Sequence, residues 1–323
     1  MTGPPYDIAR VAHHVELLCG NIGRVIQGKP EVIRNAVVCL LAEGHLLLED
    51  VPGTGKTSLA RALASSLAIT WNRIQFTPDL LPSDVSGVSI FNQATTEFEF
   101  KPGPIFANVV LGDEINRASP KTQSALLEVM EEGTLSADAH VYPMPKPFMV
   151  VATQNPIDME GTYVLPEAQL DRFLMKLTVG YPTPDAEAEI LRTQKMGSTV
   201  TQLVPVLSGN DVLLMIDAVK RVEVAPALEQ YIVAIATVTR SMSELRLGVS
   251  PRGSLALLRA ARAAAAAAGR PFVVPEDVKN IAPVVLSHRI ILQPDAELQG
   301  RTGEELIARA VHSVPVPRAM AAS

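Results

Sequence analysis

The stretch 45–60, HLLLEDVPGTGKTSLA, leaves a folding chain few options. Leu46, Leu47 and Leu48 make an apolar run short enough for one buried strand. The run breaks at a turn rich in proline and glycine, and apolar residues resume at helical spacing as Leu59, Ala60, Leu63, Ala64 and Leu67. The pattern predicts strand, loop and helix in succession. Gly53 and Gly55 can take the positive-φ conformations that turn successive backbone N–H groups inward, and the helix that follows adds its positive N-terminal end. Phosphate is the ligand such a loop fits. Pro52, Gly53, Thr54, Gly55, Lys56, Thr57 and Ser58 form the candidate cradle, with Lys56 placed for the β- and γ-phosphates and the Thr57 hydroxyl for a magnesium ion. The phosphate-loop pattern G-x-x-x-x-G-K-[ST] asks for glycine at position 50, where this chain carries Asp50.

A chain of 323 residues with 47% hydrophobic content can build the cores of two domains unaided. Cys19 and Cys39 lie in apolar, helix-like stretches and read as small core residues. No apolar run approaches the ~18 residues of a membrane span, and no basic and apolar leader opens the chain, so a soluble, cytoplasmic protein is expected. A net charge of −6 gives no overall pull toward a nucleic-acid backbone.

The chain on either side of the loop fits the same plan. Residues 8–42 read as two helices broken at Gly28-Lys29-Pro30, and 73–76 as a second strand. Period-two patterns over 88–101 and 133–143 predict two hairpins, whose Phe98 and Phe100 could rest on the core or stand on a working surface. The apolar run 106–112 ends in Asp113 and Glu114, and the run 147–152 ends near Asn155. Side chains alternate along a strand, so one of the paired acids can face a metal and the other a water. Three strand ends then carry polar, phosphate-suited residues at one sheet edge. A helix over 167–173 runs into a last strand over 174–179. The linker at 181–185 follows, with Asp185 a candidate N-cap, and every segment beyond it to 291 has helical period. Ser250 and Pro251 start one of these helices and leave Arg252 in its first turn, where an anion is needed; a nucleotide phosphate and a protein carboxylate both qualify. The six histidines show no metal-binding spacing.

The loop, Asp113-Glu114, Asn155, Arg172 and Arg252 stand in the order found in AAA+ ATPases, and the chain most resembles the MoxR family among them. Asp113-Glu114-Ile115-Asn116-Arg117-Ala118, Lys121-Thr122-Gln123-Ser124-Ala125-Leu126-Leu127 and Ala152-Thr153-Gln154-Asn155-Pro156 resemble that family's phrases, and the likeness covers nearly the whole chain. It implies an α/β P-loop NTPase core over 1–180, with a parallel sheet and hairpin inserts, and an all-helical lid over 185–323. It implies ATP and Mg²⁺, with Lys56 and Thr57 as the Walker A end, Asp113 and Glu114 as the Walker B pair, and Thr57 and Asp113 on the metal. Asn155 matches the sensor-one amide, and Arg172 the arginine finger that serves a neighbouring subunit. Arg252 matches the sensor-two arginine and is expected to act from the lid of its own chain. The hairpins look like the helix-two insert and the pre-sensor-one hairpin, which in the family face a ring pore. Departures from the family pattern are Asp50 and Gly112. The implied activity is ATP hydrolysis that remodels or matures partner proteins, typically von Willebrand factor A domain proteins, by a homo-oligomer that is expected to be a hexamer. Alternatives are a magnesium-chelatase-like or nucleic-acid-remodelling subunit, and a nucleotide-gated scaffold with little turnover. The presence of Glu114 favours turnover, because a scaffold needs no group to orient an attacking water.

Overall fold

The computed structural model describes residues 7–50, 53–137, 140–155, 163, 165–194 and 203–317. Val51, Pro52, Pro156, the hairpin tip at 138–139 and the end of the helix expected over 185–196 lie outside the described residues. Asp7 caps α1 (Ile8–Gly23) by accepting from the Ala9 N–H, and α2 (Pro30–Leu41) opens on a proline. β1 (Leu46–Glu49), α3 (Lys56–Ser66), β2 (Trp71–Gln75) and α4 (Pro82–Ser86) follow. The antiparallel pair β3 (Gly87–Asn92) and β4 (Glu97–Pro102) precedes β5 (Val109–Asp113) and α5 (Pro120–Glu132). A second antiparallel pair, β6 (Thr134–Ala137) and β7 (His140–Pro143), leads to β8 (Met149–Gln154), α6 (Glu167–Leu170) and β9 (Met175–Leu177). Both hairpins thus form where the period-two patterns place them.

One sheet of five strands in the order β2-β5-β8-β1-β9 is parallel throughout. Its inner strands are apolar on both faces, as a parallel sheet between helices requires. Leu46, Leu48, Val109, Leu111, Met149 and Val151 face one core, while Leu47, Val110, Val150 and Ala152 face another with Leu126, Leu127 and Phe173. The first core also takes in α1, α2, α3 and most of the helices beyond residue 207. Apolar packing therefore divides at the sheet, and the C-terminal helices share a core with the first three helices.

That C-terminal region comprises α7 (Pro184–Gln194), α8 (Gly209–Lys220), α9 (Pro226–Ser241), β10 (Leu245–Leu247), α10 (Pro251–Ala267), α11 (Pro275–Leu286), β11 (Ile291–Leu292), α12 (Pro294–Leu298) and α13 (Gly303–Ser313). Ser250 caps α10 as expected, by accepting from the Gly253 N–H. Ala260, Ala261, Ala263, Ala265 and Ala266 are fully buried, and these small side chains let α10 lie close against α11, α1 and α2. Three details differ from the sequence pattern. β10 and β11 pair antiparallel among the helices, in runs too short to show alternation. Asp185 lies inside the first turn of α7 and is not its cap. α6 stops at Leu170 instead of running to Phe173.

The hairpins settle where Phe98 and Phe100 go. Phe98 is 70% exposed and meets Phe91 edge-on at 5.3 Å. Phe100 stacks on Tyr142 of the other hairpin at 4.5 Å.

At the start of β1, His45 ties three elements together. Its Nδ1 accepts from the Val150 N–H at 3.0 Å, so the proton sits on Nε2 and is donated to the Met130 carbonyl at 3.0 Å. Burial pushes its pKa down to about 4, and burial together with Arg289 pushes that of His288 well below its ordinary value. The unfolded chain binds these protons near pH 6.5 and the folded chain does not, so stability is full above that pH and is lost as pH falls through the window toward 4. Urea unfolding between pH 6.5 and 5 should show a loss of about 1.4 kcal/mol per pH unit for each histidine. A His45→Gln variant, which has no such titration, should lose its share of that slope.

Candidate functional site

Four strands of the sheet end side by side at the edge where the loop begins. Gln75 of β2 lies opposite Asp113 of β5, and Glu49 of β1 opposite Gln154 of β8. Gly53 and Gly55 have φ of +85° and +91°, the conformation that only glycine adopts freely, and Gly55 is the N-cap of α3. Both glycines therefore take the positive-φ conformations that the sequence allows, at the N-terminus of a helix.

Lys56 donates to the Asp50 carbonyl, which holds its ammonium over the loop. Burial lowers its pKa, while Asp50, Asp113 and Glu114 oppose that shift. Asp50, at the position where the pattern asks for glycine, is 7% exposed. Its N–H donates to the Gln154 carbonyl at 3.2 Å, and its carboxylate accepts from the Gly180 N–H at 2.5 Å. The substitution thus gains a tie between the loop and the chain beyond β9. The other departure has a packing reason, because a methyl group on Gly112 would stand 3.2 Å from Phe76 and 3.3 Å from Leu126.

Asp113 is 7% exposed and turned inward. Its Oδ1 accepts from the Thr153 hydroxyl at 2.5 Å. Its Oδ2 accepts from the Thr57 hydroxyl at 3.4 Å and from Arg73 Nη2 at 2.6 Å. Glu114 leaves the strand in a left-handed conformation, φ +55°, and takes different partners from Asp113. It accepts from Gln75 Nε2 at 3.0 Å and Arg117 Nη1 at 3.1 Å. Its N–H donates to Thr153 Oγ1 at 2.9 Å, which fixes the two acids relative to each other. Asn155, 5% exposed, follows β8 at the same edge. Arg73, Gln75 and Thr153 were not singled out from sequence. Arg73 and Gln75 flank the buried Ile74 on β2, and that period-two signal marks them as sharing one face.

Arg172 and Arg252 lie elsewhere. They surround a cavity of about 300 Å³ lined also by Glu131, Asp171, Arg259, Arg289 and His45. His45 precedes β1, Leu174 precedes β9, and Met130 bonds to His45, so this cavity opens at the amino edge of the parallel sheet. The loop lies at the carboxyl edge. The four residues of β1 alone, at about 3.3 Å each, separate the two edges. Glu131 bridges the arginines, with Arg172 Nη2 at 3.0 Å from Oε2 and Arg252 Nη2 at 3.1 Å from Oε1. The carboxylate that pairs with Arg172 thus comes from α5. Arg252, expected to reach the nucleotide of its own chain, is compensated by Glu131 and, at 3.7 Å, by Asp171, because α10 docks against the far edge of the sheet from its own loop.

The profile of the ATPase family associated with various cellular activities (AAA) matches residues 45–175, and that of the AAA lid domain matches 237–310. The protein YeaC of Bacillus subtilis (strain 168) is 50% identical over 297 residues, which cover 92% of this chain and 93% of YeaC. Chaperone MoxR1 of Mycobacterium tuberculosis is 42% identical over 98% of this chain and 86% of its own length. Protein MoxR of Paracoccus denitrificans is 33% identical over 91% and 94% respectively. A solved structure from Cytophaga hutchinsonii ATCC 33406 shares the fold with a TM-score of 0.89 at 38% identity, covering 96% of this chain and 97% of that one.

Asp50 yields a prediction that runs against the motif. Asp50→Gly restores the loop pattern but removes the acceptor for the Gly180 N–H, so it should destabilise the protein by about 1–3 kcal/mol in urea unfolding at pH 7.

Proposed function

Because the chain belongs to the MoxR family of AAA+ ATPases, we propose that it hydrolyses ATP at the Lys56 edge of the sheet and uses that turnover, chaperone-like, to remodel or mature partner proteins. The observation that carries this reading is the separation of the two acids: Asp113 faces Thr57 and the loop, while Glu114 stands beside it as a second carboxylate. Binding alone has no use for Glu114. Its role is to orient and deprotonate the attacking water, with the Asn155 amide holding that water in line. The Gly53–Ser58 backbone N–H groups hold the phosphates, and Lys56 exchanges its backbone partner for phosphate oxygens.

The donor set fits a magnesium ion, since Thr57 Oγ1 and Asp113 Oδ2 are hard oxygens that converge to 3.4 Å, and magnesium takes one or two protein oxygens beside phosphates and waters. Bound there, Mg²⁺ neutralises charge on the β- and γ-phosphate oxygens.

The shared placement of Arg172 and Arg252 supports a site completed by a neighbouring subunit. Both cations face away from their own loop, so in this reading both serve the nucleotide next door, in a ring that is most simply a hexamer. Support for protein partners comes from the 42% identity to a chaperone, and von Willebrand factor A domain proteins are the partners that the family resemblance implies. The net charge of −6 argues against a nucleic-acid track.

Glu114→Gln should bind ATP as the wild type does and release phosphate about 10²–10⁴-fold more slowly. Wild-type protein that binds ATP without releasing phosphate, even with a partner present, would establish the scaffold reading instead; salt-dependent DNA or RNA binding that stimulates turnover would establish the nucleic-acid one. Arg172→Ala and Lys56→Ala should each be inactive alone. Mixed after verified subunit exchange, they should regain single-turnover hydrolysis, because an intact loop then meets an intact arginine at some interfaces. No recovery in verified mixed rings would refute the shared site.

A further inference from the structure

Arg289 lies in the 3-10 turn Ser287–Arg289 after α11, with its side chain 3% exposed. A guanidinium so deep is tolerated only if its five N–H groups find partners. They do. Nε donates to Asp171 Oδ1 at 2.7 Å, and Nη2 to the carbonyls of Asp171 at 3.1 Å and Phe173 at 2.7 Å. Nη1 donates to the Leu174 carbonyl at 3.1 Å and to the Val285 carbonyl. Four of these acceptors belong to Asp171, Phe173 and Leu174, the residues on either side of Arg172.

Stability alone is a poor reason for this arrangement, since well-packed apolar residues usually replace a buried ion pair without loss. The grip has a directional effect that an apolar contact lacks. It holds the backbone from which Arg172 reaches Glu131, and it orients Asp171, whose other oxygen faces Arg252 at 3.7 Å. No other side chain offers five donors in a rigid fork, so lysine cannot reproduce it.

We propose that Arg289 is a positioning residue for Arg172: from the C-terminal helical region it sets the direction in which Arg172, and with it Arg252, meets the nucleotide of a neighbouring subunit. The inference rests on the shared-site reading above.

The test uses full-length Arg289→Lys and, as an apolar replacement of similar bulk, Arg289→Met, each first checked for assembly mass and melting temperature. Arg289→Lys alone should lower kcat about 10²-fold, the usual cost of a small misplacement of a reacting group, with KM for ATP unchanged because the loop lies at the other edge. Mixed with Lys56→Ala it should regain single-turnover hydrolysis, since its intact loop meets a well-held Arg172. Mixed with Arg172→Ala it should regain none. A residue that only supports the fold would not sort its partners in this way. Wild-type kcat, recovery with Arg172→Ala, or failure of both variants to assemble would overturn the proposal. If Lys56→Ala and Arg172→Ala themselves regain nothing together, the shared-site reading fails and this inference falls with it.

Discussion

Five strands bonded side by side in one direction give the molecule a polarity on which everything else depends. Backbone ladders, and no side-chain preference, bring Gln75, Asp113, Asn155 and the glycine loop to one edge. The same ladders send the residues before each strand to the other edge. Alternation within each strand then assigns Leu46 and Leu48 to one core and Leu47 to the other, so helices must cover both faces. Chemistry is confined to the two rims that helices leave open.

The rims are built on different electrostatic plans. At the loop, acids are gathered and held by neutral or exposed donors, such as Thr153, Gln75 and the half-exposed Arg73. The partly solvated Arg73 and Gln75 contacts are individually weak and can be exchanged for ligand contacts, while the buried Thr153 bond holds Asp113 in place. At the opposite rim charges alternate along a chain, Arg172–Glu131–Arg252–Asp171–Arg289. Exposure is lowest at the Arg289 end, 3%, highest in the middle at Arg252, 47%, and 26% at the Arg172 end. Only the Arg289 end of the chain is buried.

Much of this was legible in the residues because local rules wrote it. The loop, the Asp113-Glu114 strand end, both hairpins and the Ser250 cap each follow from a pattern a few residues long. What was illegible depends on distant partners. Arg252 sits in the first turn of α10 as its sequence demands, yet its carboxylate is 121 residues away on α5, and nothing near Arg252 encodes that. The Asp171 and Phe173 carbonyls, just past the end of α6, likewise find their donor in Arg289, 118 and 116 residues away. Asp50 reads as a flaw in a motif until Gly180 supplies its partner, 130 residues on.

The stack of Phe100 on Tyr142 makes two separate hairpins one mechanical body with two tips. Neither hairpin is hydrogen-bonded into the main sheet among the described residues, and the body is held by its roots and by Phe106, whose ring meets both Phe100 and Tyr142. One root is the left-handed Gly133 that ends α5, φ +63°, and in the sequence only Glu132 separates it from Glu131. The exposed Phe98 of one hairpin is thus joined, through the stack, to a hairpin rooted beside the carboxylate that clasps Arg172 and Arg252.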